Sequence, residues 1–247
     1  MRLDVYLFEK GHVGSRTDAK NLILAGAVSL NGKIITKPAY DVPDEVDPDV
    51  CVDKRTKKYV SRGGLKLEAA LDNFNVQVLG RCALDVGASS GGFTDCLLKR
   101  GVERVIAVDS GSGQLVRELK EDPRVDSIES FNARYMTRDD LSFIPDLAVM
   151  DVSFISATHI IPSVFKCLSD GGDFICLVKP QFEVGRSNIG KGGIVKSEKA
   201  RNAALNAVIA FSESIGFKLC ATMRSPIEGG DGNIEFLIHL KKPSTVG

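Results

Sequence analysis

The chain has 247 residues, a formal net charge of zero, 43% hydrophobic residues and 26% charged residues. That is the balance of an ordinary soluble globular protein, with room for one domain of about 180 residues and a smaller one. No apolar run reaches the roughly 18 residues of a membrane span, Leu3–Phe8 is too short and too interrupted by Asp4 for a secretory signal, and six cysteines without a C-x-x-C pair predict reduced thiols, no metal site and a cytoplasmic location.

Residues 1–53 read as a small module. Arg2–Lys10 has Leu3, Tyr6 and Leu7 at helical spacing, and Gly11 is placed to end the helix. Ser15–Asp18 resembles a capping box opening a second helix, with Ala19, Leu22 and Ile23 inward and Gly26 as its stop. Val28–Ile35 alternates around Asn31-Gly32, the strongest short hairpin signal. Pro38, Pro43 and Pro48 punctuate the stretch after this hairpin. Residues 41–53 carry six acidic groups and no basic one, while residues 54–66 carry six basic groups and no acidic one. The basic run joins two regions, where a polyanion could lie across both.

Tyr59–Gly64 is glycine-ended and ill suited to continuous helix. A helix is predicted over Leu65–Phe74, with Leu67, Ala70, Leu71 and Phe74 on one face and Lys66 in its first turn. From residue 81 strands and helices alternate. Strand Cys82–Val86, a glycine turn and a helix carrying Phe93, Cys96, Leu97 and Leu98 come first. Strand Val105–Val108, helix Gln114–Lys120, strand Val125–Ser130 and strand Asp146–Asp151 follow. Helix Ala157–Leu168, strand Gly172–Val178 and a polar, glycine-rich loop over Glu183–Lys196 come next. A helix capped by Ser197 and stopped by Gly216 precedes strands Phe217–Met223 and Asn233–Leu240. Seven strands with helices between the first five predict a doubly wound α/β sheet.

In such a sheet the ligand lies off the carboxyl ends of the strands. Gly87-Ala88-Ser89-Ser90-Gly91-Gly92 stands at one such end, where small residues admit close approach and a helix N-terminus offers N–H groups. Asp109 follows Gly87 by 22 residues at the end of the next strand, placed to accept hydrogen bonds from a ribose diol. These features point to a nucleoside-containing cofactor. Gly87–Gly91 also fits the G-x-S-x-G nucleophile elbow, but the general base would be His239, inside a strand, or His159, early in a helix, and no HGGG-like stretch occurs. A nicotinamide site would show G-x-G-x-x-G, and Ser89 stands where the middle glycine belongs. Asp151 and Lys179 each close a strongly apolar strand, which is costly unless the charge meets a cleft or a partner. Together they suggest a carboxylate and an amine in one site. Glu235, interrupting the start of the last strand, belongs to the same sheet edge if that strand is antiparallel.

The pattern R-L-D…G…S-R…A…L-I-x-A-G-x-V-x-L-N-G resembles the S4 RNA-binding domain over about fifty residues. The resemblance implies a basic surface for structured RNA, here Arg2, Lys10, Arg16 and Lys20, with Lys33 and Lys37 nearby. VSRGGLKL, LDVGASSGGFTD, AVDSGSGQL, MDVSFIS, LVKPQFEVGR and GNIEFLIHL resemble the TlyA family, within the wider FtsJ-like group of S-adenosylmethionine-dependent RNA 2′-O-methyltransferases. The likeness runs nearly end to end. It implies an S4-like domain over 1–55, a basic linker over 56–64 with Lys57, Lys58 and Arg62 touching RNA, and over 65–247 a Rossmann-like, seven-stranded class I methyltransferase domain. The group's Lys-Asp-Lys-Glu tetrad carries over to Lys66, Asp151, Lys179 and Glu235. Lys179 is then general base or stabiliser of a developing alkoxide, Asp151 its orienting partner, and Glu235 the holder of Lys66 or of the ribose. The implied S-adenosylmethionine contacts are Asp85, Gly87, Ala88, Ser89, Ser90, Gly91, Gly92, Phe93, Asp109 and Asp151, with Asn132 or Ser130 facing adenine. The implied partner is ribosomal RNA, as the isolated RNA or a ribosomal subunit, with a cytidine ribose as acceptor, no membrane and no obligate protein partner. Some members carry the name hemolysin, so a membrane-active protein is one alternative. An RNA-binding assembly factor without catalysis is the other.

Overall fold

The structure is a computed structural model that describes residues 1–24, 26–42, 48–53, 58–229 and 232–244. Pro43, Lys54, Arg55 and Lys57 lie outside the described residues.

At the N-terminus, α1 (Leu3–Glu9) and α2 (Arg16–Leu24) pack on a small antiparallel sheet of β1 (Val28–Leu30), β2 (Lys33–Ile34) and β3 (Val50–Val52), in the order β2-β1-β3. Leu3, Leu7, Ile23 and Val28, each 0% exposed, form its core. Asn31 and Gly32 take φ of 49° and 75°, the left-handed pair that a two-residue hairpin turn requires. β3 lies in the acidic stretch and was not expected. It exists because Val52 and Val50 face Val28 and Leu30 across the sheet, while Asp49 donates its N–H to the Asn31 side chain at 2.9 Å.

The rest of the described chain builds a second sheet. It contains β4 (Cys82–Val86), β5 (Arg104–Val108), β6 (Val125–Ile128), β7 (Leu147–Met150), β8 (Asp173–Val178), β9 (Lys218–Arg224) and β10 (Phe236–Lys241), in the order β6-β5-β4-β7-β8-β10-β9. The first five run parallel, and β10 pairs antiparallel with both β8 and β9. Successive side chains point to opposite faces of a strand, so Ala83, Val149 and Ile175 join one core while Leu84, Met150 and Phe174 join the other. Helices α3 (Gly63–Asn73) and α4 (Gly92–Lys99) cover the first face; α6 (Ile161–Cys167) and α8 (Glu198–Ser214) cover the second. Leu71 and Leu97 are at most 1% exposed, and cutting such a leucine to alanine costs about 2–5 kcal/mol.

The expected helix over 114–120 contracts to one turn, α5 (Arg117–Lys120), because Gly113 is left-handed and Val116 is extended. The predicted helix over 157–168 begins as a 3₁₀ turn, Ala157–His159, before α6. The segment expected to be a structureless loop is also built. It follows α7 (Pro180–Glu183), holds two 3₁₀ turns and is tied down by Asn233, which accepts the Val195 N–H and donates to the Gly193 carbonyl, each at 3.0 Å. α3 starts two residues earlier than expected, on Gly63-Gly64. A Cβ on Gly64 would stand 2.3 Å from the Tyr59 ring, and one on Gly92 would stand 3.1 Å from the Gly64 nitrogen. Glycine alone lets the starts of α3 and α4 approach this closely.

Candidate active site

The order changes direction between β4 and β7, and the crevice off their carboxyl ends is where such sheets bind ligands. The glycine turn leaves β4 there. Gly87 has φ +83°, and a Cβ on it would lie 2.4 Å from the Asp151 carbonyl oxygen. The Gly87 and Ala88 N–H groups donate to the Val108 carbonyl at 2.8 and 3.1 Å, and that of Ser89 to Asp109 Oδ2 at 2.8 Å. The first three amides of the turn are therefore engaged by the neighbouring strand end, and what the turn offers a ligand is close approach. Asp109 Oδ1 accepts the Gly111 N–H at 2.7 Å. Each carboxylate oxygen has a further lone-pair position, so Asp109 is held rigidly and can still accept from a diol.

A cavity of about 560 Å³ opens beside it, bounded by Gly87, Ser89, Asp109, Asn132 and Asp151, with Phe131 and Ile155 on its apolar wall. Asn132 uses Oδ1 to accept the Arg134 N–H at 3.1 Å, leaving its amide donors for a ligand; Ser130 lies alongside. A carboxylate for a diol, an apolar slot for a base and a close-packed glycine turn for an amino-acid tail fit S-adenosylmethionine. A second cavity of about 250 Å³ adjoins, bounded by Ala88, Ser89, Ser90, Gly92 and Phe93. Asp85 and Gly91, expected among the cofactor contacts, line neither cavity. Gly91 has no Cβ because Leu119 and Leu115 occupy that space, 2.3 and 2.8 Å from where it would be. Asp85 is 0% exposed beneath the turn, accepts the Thr94 hydroxyl at 2.7 Å through Oδ2, and has no partner for Oδ1. Burial pushes its carboxyl up to about 7, with Asp151 and Asp109 adding to the rise and Thr94 opposing it.

The four tetrad positions form two ion pairs. Lys66, in the first turn of α3, donates to Glu235 Oε2 at 2.5 Å, and the two are 6% and 2% exposed. Glu235 lies one residue before β10 rather than inside it. Lys179 Nζ is 2.6 Å from Asp151 Oδ1 and donates to Ser153 Oγ at 2.7 Å. The contact with Asp151 is close but lies outside hydrogen-bond alignment, since Oδ1 has no donor directed at it. Lys66, Asp151 and Lys179 all face the second cavity. Lys179 and Glu235 also face a third, of about 310 Å³, with Phe154, Phe182 and Gly193. Phe154, at φ +65° and 91% exposed, overhangs it with its ring 5.3 Å from that of Phe182. Ser153 and Phe154 stand in the sequence only within the MDVSFIS stretch, with no role attached to either. His239 bonds Asp173 at 2.9 Å, at the opposite edge of the sheet, which removes it as a partner for Ser89.

The expected RNA contacts are dispersed. Arg2 donates to Asp4 at 2.9 and 3.0 Å, and Arg16 approaches the same carboxylate at 3.6 Å. Lys10 lies over the Tyr6 ring, Lys20 is exposed and Lys58 pairs with Glu68. Arg62 is not a free surface cation. It donates to the Glu228 carbonyl at 3.2 Å, and its Nε is 3.4 Å from the Cβ position of Gly26. Burial lowers its guanidinium from the ordinary value, against the pull of Glu235 and Asp53. Leu24, Gly26 and Thr36 reach the second cavity as well, so the N-terminal module forms part of its wall.

This arrangement has known counterparts. The chain is 41% identical to the 16S/23S rRNA (cytidine-2′-O)-methyltransferase TlyA of Mycobacterium tuberculosis, over 97% of this chain and 89% of that one. It is 45% identical to Hemolysin A of Brachyspira hyodysenteriae, over 97% and 99% of the two chains. A solved structure from Streptococcus thermophilus, described as a provisional hemolysin, superposes with a TM-score of 0.78 at 43% identity, covering 100% of this chain and 91% of that one. Residues 1–46 match the S4 domain. With residues 59–242, the whole glycine turn and both ion pairs included, matching the FtsJ-like methyltransferases, the chain belongs to that family.

Proposed function

We propose that this chain transfers the methyl group of S-adenosylmethionine to a ribose 2′-hydroxyl, that of a cytidine in ribosomal RNA. Residues 1–55 serve as the RNA-binding domain, 56–64 as the linker and 65–247 as the catalytic domain. The observation that carries the reading is Lys179, held between the cavity of the glycine turn and the one overhung by Phe154, against an Asp151 that also borders the cavity suited to a nucleoside cofactor. The S4-domain match and the rRNA-modifying relative support RNA as the substrate.

The cofactor supplies an electrophilic methyl on a sulfonium. Asp109 and Asn132 would hold its nucleoside and the turn at Gly87 its amino-acid part. Lys179 takes the proton of the acceptor hydroxyl or steadies the developing alkoxide, with the Asp151 carboxylate 2.6 Å away as its counter-charge. Glu235 fixes Lys66, so that a second cation stands at the same cavity without a free torsion. Much of the acceleration comes from holding two reactants in line. Phe154 offers a flat apolar face on which the acceptor base can stack.

Labelled S-adenosylmethionine incubated with purified ribosomal subunits tests the reading. Label is expected on a single ribose 2′-oxygen, and Lys179→Ala is expected to lose transfer while cofactor affinity changes less than about twofold. RNA binding without transfer to any subunit would replace this reading with that of an assembly factor.

A further inference from the structure

An amine acting on one hydroxyl needs more than proximity. The nitrogen is tetrahedral, with Cε on one vertex, so its three remaining directions must be allotted. Asp151 Oδ1 stands 2.6 Å from Lys179 Nζ without accepting an aligned N–H. Ser153 Oγ, 2.7 Å away, accepts one N–H. With one N–H fixed on Ser153 and the Asp151 carboxylate crowding a second side, the side that is left carries the lone pair of the neutral amine or an N–H of the ammonium.

Ser153 sits where this matters. It borders the cofactor cavity, the cavity of the glycine turn and Lys66, and the cavity under Phe154, the three that surround the Lys179–Asp151 pair. Phe154 and Val152 on either side of it border the cavity under Phe154 and the cofactor cavity respectively, so the segment leaving β7 runs through the junction itself. Asp151 alone does not orient the amine, because its contact lies outside hydrogen-bond alignment. The one aligned hydrogen bond of Lys179 Nζ among the described residues is the one to Ser153.

We infer that Ser153 is a positioning residue for the transfer: by accepting one N–H of Lys179 it turns the remaining direction of the amine toward the acceptor hydroxyl. The inference rests on the ribose-methylation reading above. Ser153 itself exchanges no proton with the substrate.

The test is steady-state methylation of ribosomal subunits by full-length Ser153→Ala, Ser153→Thr and wild-type protein, with cofactor binding by calorimetry. Ser153→Ala is expected to lower kcat roughly 10- to 100-fold, the cost of misdirecting a catalytic group. KM for the subunit and Kd for the cofactor should stay within about twofold. Ser153→Thr keeps the hydroxyl and should return kcat to within a few-fold of wild type. Unchanged kcat in Ser153→Ala would overturn the inference. So would a loss seen only in cofactor Kd, which would make Ser153 a cofactor contact, or a loss that threonine does not relieve. Absence of transfer by the wild-type protein would instead overturn the methylation reading, so the two failures are distinguishable.

Discussion

Asp85 lets the structure be tested through its stability. The carboxyl is fully buried, and its value rises from 3.8 to about 7. The folded protein therefore holds this proton more tightly than the unfolded chain. Below pH 4 both states are protonated and nothing is lost. Between about 4 and 7 the unfolded chain releases the proton and the folded one retains it, so stability falls by about 1.4 kcal/mol per pH unit. The loss is complete above 7 and amounts to about 4 kcal/mol. Asp85→Asn has nearly the same shape, can still accept the Thr94 hydroxyl and does not titrate. Its new N–H pair, facing the unpartnered position of Oδ1, adds a penalty of about 1–3 kcal/mol that is the same at every pH. The expected readout is the difference in urea unfolding free energy between variant and wild type at pH 5 and at pH 8. Titrating groups not coupled to Asp85 cancel in it, and it should shift toward the variant by about 3 kcal/mol between the two. A difference independent of pH would refute the assignment of a proton to Asp85.

Lys66→Met leaves Glu235 buried without its cation and is expected to cost about 3–5 kcal/mol in chemical denaturation, whereas the double change with Glu235→Met should recover most of that; a double variant no better than the single would mean the pair is not the source. Phe154→Ala removes a stacking face of about 1–3 kcal/mol. It should lower kcat/KM for ribosomal subunits roughly tenfold to a hundredfold while the melting temperature holds, and Phe154→Trp should be near wild type.

Features governed by local chemistry were legible in the sequence. Asn31-Gly32 must turn a hairpin because few other pairs tolerate two left-handed residues. Asp151 and Lys179 read as a pair because each ends a strand too apolar to shelter an isolated charge. Features governed by facing were not. Spacing places Gly91 and Asp85 at the turn but does not say that one opens toward Leu119 and that the other is buried against Thr94. β3 escaped notice because three residues have no period to detect. Lys66 had nothing to distinguish it until a resemblance supplied the tetrad, since its partner lies 169 residues away. Ser153 and Phe154 sit in irregular backbone, where a side chain's surroundings depend on three other loops.

That 169-residue separation also orders events in time. β9 bonds only to β10, and β10 enters between β8 and β9, so the second-to-last strand has no neighbour until the last one arrives. A ribosome making this chain exposes the glycine turn, Asp109 and Lys179 well before Glu235. Until the final strand threads into its slot, Lys66 has no carboxylate to meet. A chain not yet extended to Glu235 would lack the Lys66–Glu235 contact. Of the four residues in the two ion pairs, Glu235 is the last to be made, so the Lys66–Glu235 contact is the last of the two that can close.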